Sequence, residues 1–161
     1  GKRGQMDILP YTVTDKGHPD RDEENEIAVE NTEWYKRPFR VHRQIGASND
    51  SVICRTSIGK KCPICEYRKK VLDQGDPNNE ADGLKASLRN LYVIVPKGHK
   101  KYDEEIHIWE ISQFNFQNLL NQEIEEKPWK GNFPDPDEGY TLDVRFDSKT
   151  IGNSKAFAIF C

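Results

Sequence analysis

Three cysteines and one histidine lie within the 24 residues from His42 to Cys65, at spacings typical of a metal site. Two residues separate Cys62 from Cys65, seven separate Cys54 from Cys62, and eleven separate His42 from Cys54. Zn²⁺ prefers four tetrahedral ligands drawn from thiolate sulfur and imidazole nitrogen, and a C-x-x-C turn presents two sulfurs to one metal. The sequence therefore predicts one structural Zn²⁺ per chain, bound by His42, Cys54, Cys62 and Cys65.

Other interpretations of these residues are open. Cysteine is often buried as a small apolar residue, and C-x-x-C is also the redox motif of thioredoxin-like folds, although no βαβ pattern surrounds it here. His18 is an alternative fourth ligand. It lies in the polar stretch D-K-G-H-P-D, which predicts a loop, whereas His42 follows an extended segment, and this favours His42.

Positive charge is concentrated around the predicted metal site. The chain of 161 residues has a formal net charge of -3. Between positions 34 and 70, however, ten basic residues stand against two acidic ones, a balance of +8 that leaves -11 for the remainder. Such a basic region indicates a polyanion as partner, although a solvated surface is the alternative. The predicted phosphate contacts are Lys36, Arg37, Arg40, Arg43, Arg55, Lys60, Lys61, Arg68, Lys69 and Lys70.

Aromatic residues are interleaved with these cations and with the later strands. A basic groove with aromatic faces is typical of single-strand binding, because bases stack on rings without regard to sequence. Candidate stacking residues are Tyr35, Phe39, Tyr67, Tyr92, Tyr102 and Trp109. Strand parity favours Tyr92 and Trp109, since it sets them on the face opposite the aliphatic residues Val93, Val95, Ile106 and Ile108.

Hydrophobic periodicity predicts a mainly β (α+β) protein. Apolar residues alternate over 34–45, 105–111 and 140–146, while 90–96 and 155–161 are apolar runs, and Ser112 predicts the start of a helix that ends near residue 125. The segments 90–96 and 105–111 predict a hairpin. Five strands with one helix fit an OB-fold, a Greek-key barrel. We expect one domain over 1–161, with a loop-rich, short-helix, zinc-bearing insertion at about 46–89.

Composition narrows the class of protein further. Hydrophobic residues make up 35% and charged residues 32%, with a mean hydropathy of -0.87, so a metal would add stability to a modest core. No apolar run approaches the roughly 18 residues of a membrane span. Cys161 is left over as an odd thiol, which argues against a disulfide framework and predicts a reducing cytoplasm.

The ligand set His42, Cys54, Cys62 and Cys65, followed by the basic stretch C-E-Y-R-K-K, resembles the zinc-containing single-stranded DNA-binding proteins of tailed bacteriophages, the family of the T-even phage helix-destabilising protein. The likeness covers about residues 34–70, and the rest agrees only in pattern. It implies an OB-fold with a zinc-bearing subdomain, binding of single-stranded DNA without sequence specificity, and a role in phage DNA replication, recombination and repair. It also supports His42 as a ligand, but assigns no DNA contact.

This sequence departs from the family pattern in its loop lengths and at its end. The acidic C-terminal tail of the T-even protein has no counterpart before Cys161, and the chain ends within an apolar predicted strand. We therefore expect that a tail has been removed. Such a tail would recruit replication and recombination proteins, while DNA binding, as a monomer or as a cooperative assembly, would remain.

Two other functions are consistent with a zinc site. A treble-clef nuclease would need His and Asn near a carboxylate to hold a catalytic ion, but His99 and His107 have basic or apolar neighbours. No G-x-x-x-x-G-K-[ST], H-E-x-x-H or G-x-S-x-G motif occurs. The sequence thus predicts a binding protein and not an enzyme. A zinc module that binds only protein is the third possibility.

Overall fold

The computed structural model describes residues 2–151 and 154–160, with side chains for residues 3–146. The chain forms two units. Unit 1 is Gly1–Arg37 with Asn90–Cys161, and unit 2 is Pro38–Arg89. Unit 2 starts eight residues before the predicted insertion, because it includes the strand that carries His42. The predicted odd thiol, Cys161, lies outside the described residues.

The described residues are mostly β-structure with short helices. The strands are β1 (Lys2–Leu9), β2 (Tyr11–Thr12), β3 (Glu33–Trp34), β4 (Arg37–Ile45), β5 (Asp50–Ile53), β6 (Ser87–Lys97), β7 (His107–Ser112), β8 (Leu142–Ile151) and β9 (Ser154–Phe160). The α-helices are α1 (Pro63–Asp73) and α2 (Asn118–Glu126). Short 3-10 helices span Arg55–Ile58 and Pro128–Asn132, and a π-helical turn spans Gln113–Gln117.

The main sheet of unit 1 has the strand order β7-β6-β1-β8-β9. Strand β1 pairs antiparallel with β6 on one side, with Ile8 opposite Ile94, and with β8 on the other, with Gly4 opposite Val144. Strands β8 and β9 form an antiparallel hairpin. The pairing of β6 with β7 confirms the hairpin that the sequence predicts. Within residues 2–151 and 154–160, strands β7 and β9 do not pair with each other, so the sheet is open and not the closed barrel that we expected.

The core of unit 1 lies on one face of this sheet. Alternate residues of β6 are buried, and Tyr92 is only 1% exposed. Its ring packs edge-on against Phe116 at 5.2 Å, and its hydroxyl donates to Gln117 Oε1 at 2.7 Å. Tyr92 does lie on the face opposite Val93 and Val95, as parity predicted, but that face meets Phe116 and the core, so the expectation of a ring open to a base was wrong.

Strand β7 shows the same inversion. Ile108 is 66% exposed, and Ile106, just before the strand, is 67% exposed. Trp109 packs against the core instead, with its ring 4.8 Å from that of Phe116. An aromatic ring buries more apolar area than an aliphatic side chain, so the tryptophan takes the inner face.

The predicted helix after β7 is confirmed and starts with a short π-helical turn. The Ser112 side chain accepts a hydrogen bond from the Asn115 amide, as an N-cap should. Phe116 and Leu120 are buried against the sheet. Helix α2 thereby covers the core between β7 and β8.

Unit 2 begins with the antiparallel β4–β5 hairpin. Val41 lies opposite Ile53 and His42 opposite Val52, and a bulge follows before Ile45, where Gln44 has a φ of +54°. Val41 and His42 are both buried, whereas Arg40 before them is exposed. The register is regular at Val41 and His42, so their side chains lie on opposite faces of the hairpin, and both faces are covered there.

Candidate functional site

Unit 2 brings the four predicted metal ligands together from separate elements. His42 lies on β4, Cys54 follows β5 directly, Cys62 is the N-cap residue of α1, and Cys65 lies in the first helical turn. Pro63 takes the first helical position, where its missing N–H costs nothing. The hairpin and the helix start thus supply two ligands each.

Three of the six distances between the ligand atoms are close to those of a tetrahedral centre. Cys54 Sγ lies 3.5 Å from Cys65 Sγ, while His42 Nε2 lies 3.4 Å from Cys62 Sγ and 3.5 Å from Cys65 Sγ. All four ligand atoms lie within 4.8 Å of one another. Zinc bonds of about 2.3 Å to sulfur and 2.0–2.1 Å to nitrogen place tetrahedral ligands about 3.5–3.8 Å apart. His42 and Cys54 are fully buried, so these four residues could bind a metal ion in a site closed to solvent.

Neighbouring groups orient the ligands. His42 Nδ1 lies 2.9 Å from the carbonyl oxygen of Leu84 and therefore donates its proton there. This leaves the Nε2 lone pair facing the sulfurs, as in many histidine–metal sites. The Thr56 hydroxyl lies 3.0 Å from Cys54 Sγ, where it can donate to a thiolate.

The thiols of Cys62 and Cys65 have shifted pKa values. Burial raises the pKa of Cys62, but hydrogen bonds from the backbone amides of Cys65, Arg55 and Ile64 outweigh it and lower the value to about 6. Burial, followed by hydrogen bonds with Cys54 and Cys62, raises the pKa of Cys65 to about 12. Three thiolates so close together repel one another, and a bound cation would relieve this repulsion.

His18, the alternative fourth ligand, is engaged in a different set of contacts. It is 4% exposed in unit 1, where Nδ1 accepts from the Asp20 amide at 3.1 Å. Nε2–H then donates to the Tyr11 hydroxyl at 2.7 Å, and that hydroxyl donates to the Lys36 carbonyl. Burial raises the pKa of Tyr11 to about 12, which keeps this donor protonated. His18 is thus a structural residue of the β2–β3 connection.

Most of the predicted phosphate contacts in unit 2 lie on its surface. Ten basic and six acidic side chains give unit 2 a formal charge of +4. Seven of these predicted contacts are exposed and lack a carboxylate within 4 Å among the described side chains: Arg40, Arg43, Arg55, Lys60, Lys61, Lys69 and Lys70. We call these seven residues the cationic surface. Arg68 is half-buried and donates from Nε to the Ala81 carbonyl.

Lys36 and Arg37 belong to unit 1 and have carboxylate partners. Lys36 Nζ lies 2.5 Å from Asp20 Oδ2, which also accepts from Trp34 Nε1 at 2.9 Å. Arg37 Nη2 lies 3.0 Å from Asp15 Oδ2. The structure therefore uses both cations to hold the β2–β3 connection, and does not present them as free phosphate contacts.

The predicted stacking residues divide by burial. Tyr35 and Tyr92 are buried in the core of unit 1, which leaves neither ring open to a base. Phe39 is half-buried in unit 2. Trp109 is half-buried, whereas Tyr102 of unit 1 is 48% exposed. Tyr67 in unit 2 is 49% exposed, and its hydroxyl donates to Glu80.

The Leu84 carbonyl could not be identified from the sequence, because any residue type supplies such an acceptor. His99 and His107 both contact the exposed ring of Tyr102. In the sequence, the position of both histidines near a tyrosine in a basic turn is the feature that could have indicated this aromatic cluster.

Comparison with known protein families finds no family model that matches this chain, and comparison with characterised proteins finds no match either. Neither described α-helix has the length and apolar character needed to cross a bilayer.

Proposed function

We propose that this protein binds single-stranded DNA without sequence preference through the cationic surface, and that a structural Zn²⁺ holds this surface in place. The observation that carries the proposal is the set of seven exposed, unpaired cations on a unit organised around His42, Cys54, Cys62 and Cys65. Unpaired cations attract phosphates and release the counterions condensed on the strand.

The proposed metal is zinc because of the donor set. Three thiolates and one imidazole favour Zn²⁺ over the oxygen-preferring Mg²⁺ and Ca²⁺. Four protein ligands also complete a tetrahedron and leave no position for a reactive water, which favours a structural ion over a catalytic one. The site residues would thus cross-link β4, the turn after β5 and α1.

We propose further that unit 1 is an OB-fold with an open seam. Strands β1, β6 and β7 follow one another in the sheet, α2 comes next in the chain, and β8 returns to the other side of β1. We interpret the order β8-β1-β6-β7 as a Greek key, to which β9 would add a fifth strand. OB-folds are partly open barrels that bind oligonucleotides, so this order supports the function that the family resemblance implies. A role in phage DNA replication, recombination and repair belongs to the same proposal.

A titration tests the function directly. Zinc-loaded protein is mixed with a labelled oligothymidylate or a labelled duplex at several salt concentrations, with magnesium present. We expect tighter binding to the single strand, affinity that falls steeply with salt, and an intact strand. Cleavage would identify a nuclease. Absence of binding to both oligonucleotides would leave a zinc module for protein partners.

A further inference from the structure

A cleft in unit 1 has the lining of a site for a planar ligand. Its volume is about 380 Å³, and its lining includes Met6, Ile94, Trp109 and Phe146 together with Tyr102 and His107. Trp109 and Phe146 have ring centroids 6.3 Å apart. The cleft therefore combines an apolar base with aromatic side walls, as ligand sites commonly do.

The Tyr102 ring is held at the cleft although it is 48% exposed. His99 Nδ1 accepts from the amides of Lys101 and Tyr102 at 3.1 Å each, and the His99 ring stacks on Tyr102 with centroids 4.9 Å apart. Gly98, at a φ of +57°, donates its amide to Glu104. These bonds fix the connection between β6 and β7, so the ring is placed without being buried.

Cations lie beside this aromatic wall. Lys101 Nζ is 5.3 Å from the Tyr102 ring centroid. Lys100 and Lys101 are exposed, and neither has a carboxylate within 4 Å among the described side chains. A planar group next to an anion is what a nucleotide offers: a base for the aromatic rings and a phosphate for the lysines.

We propose that this cleft holds one base of the bound single strand, stacked on Tyr102, with its phosphate near Lys100 and Lys101. The inference rests on the proposed function and adds to it a base-binding subsite in unit 1. Stacking on Tyr102 would make affinity depend on the presence of bases, whereas the cationic surface responds to phosphates alone.

The test compares two ligands and two variants. A short oligothymidylate and an abasic oligomer of the same length are titrated against wild type, Tyr102→Ala and Tyr140→Ala, whose tyrosine is also 48% exposed. We expect Tyr102→Ala to weaken oligothymidylate binding by about 5- to 150-fold, the loss of one stacked base, and to leave the abasic oligomer unaffected. Tyr140→Ala should change neither affinity, and circular dichroism checks that both variants fold.

Two results would overturn the subsite while the proposed function stands. These are an unchanged oligothymidylate affinity in Tyr102→Ala, and an equal loss for both oligomers. If wild type binds no oligonucleotide, the proposed function itself fails and the subsite with it.

Discussion

His42 Nδ1 lies 2.9 Å from the carbonyl oxygen of Leu84, a residue 42 positions further along the chain. This contact selects the tautomer whose Nε2 lone pair faces Cys62 and Cys65. It also ties the segment after α1 back to β4, so the geometry of the ligands and the path of the chain in unit 2 depend on each other.

Replacing one ligand should remove the metal. We expect wild type to hold one Zn²⁺ per chain. Loss of a residue that only orients a metal ligand typically weakens metal affinity about 10- to 100-fold, and Cys62→Ser, which removes a ligand itself, should weaken it further. Metal content after dialysis measures this. Cys161→Ser is the control, because Cys161 is outside the ligand set, and it should retain its zinc. Equal zinc content in Cys62→Ser and wild type would contradict the assignment.

Removing the metal should loosen unit 2. Besides Cys54 and Cys62, its buried apolar residues among the described side chains are Pro38, Val41, Val71 and Ala81, which form only a small core. A core of this size stabilises little, so metal binding should supply much of the folding free energy. After treatment with a strong chelator, limited proteolysis should cut within residues 38–89, and added zinc should restore protection. If the digestion pattern were the same with and without the chelator, unit 2 would fold without metal.

The cationic surface should govern the salt dependence of binding. Lys60→Ala and Lys61→Ala each remove an exposed, unpaired cation near Cys62. Each should weaken oligothymidylate binding and lower the slope of log affinity against log salt by about 0.7, the value for one single-strand phosphate contact. Lys130→Ala is the matched control, since Lys130 Nζ lies 3.4 Å from Glu123 in unit 1. Equal slopes in all variants would remove these lysines from the interface.

The metal ligands could be predicted from the sequence because the spacing pattern that identifies them lies within one short stretch of the chain. A C-x-x-C pair with one further cysteine and a histidine specifies both chemistry and number, and the structure brings these four residues together. The position of Tyr92 could not be predicted in the same way. On a strand whose two faces are both at least half-buried, parity separates the faces but does not tell which one meets the helix.

The roles of Lys36 and Arg37 required knowledge of long-range partners. Their acidic partners, Asp20 and Asp15, lie 16 and 22 positions earlier in a polar segment that periodicity identifies only as a loop. A count of charges treats every lysine as available, whereas the fold pairs some of them. For the same reason Ile108 and Trp109 exchanged their expected faces, since side-chain size and the position of Phe116 decide between them.

Lys36 should matter for stability and not for binding. Its side chain is 12% exposed, and its ammonium lies 2.5 Å from Asp20. Lys36→Ala leaves a largely buried carboxylate without its cation, which should lower the free energy of unfolding by roughly 1–3 kcal/mol. Lys16→Ala provides the comparison, because Lys16 is 78% exposed in its pair with Glu30, and it should cost under about 1 kcal/mol. Denaturant unfolding measures both changes. An unchanged stability in Lys36→Ala, with weaker DNA binding, would restore Lys36 as a phosphate contact.

His18 should make unit 1 less stable in mild acid. Burial lowers the pKa of His18, and the positive charges of Arg37 and Lys36 act in the same direction. Its Nδ1 already accepts from the Asp20 amide, so protonation there would break that bond. Because the folded pKa lies below the unfolded value of about 6.5, the contribution of His18 is complete above about pH 6.5 and is lost as the pH falls toward the folded pKa.

A variant without the imidazole isolates this effect. We expect the free energy of unfolding of wild type to fall more between about pH 7 and pH 5 than that of His18→Gln, whose side chain does not titrate in this range. Urea unfolding at several pH values gives both curves. Parallel curves would mean that His18 keeps the same pKa in the folded and unfolded states, and the hydrogen bonds to Tyr11 and Asp20 would then not depend on its protonation state.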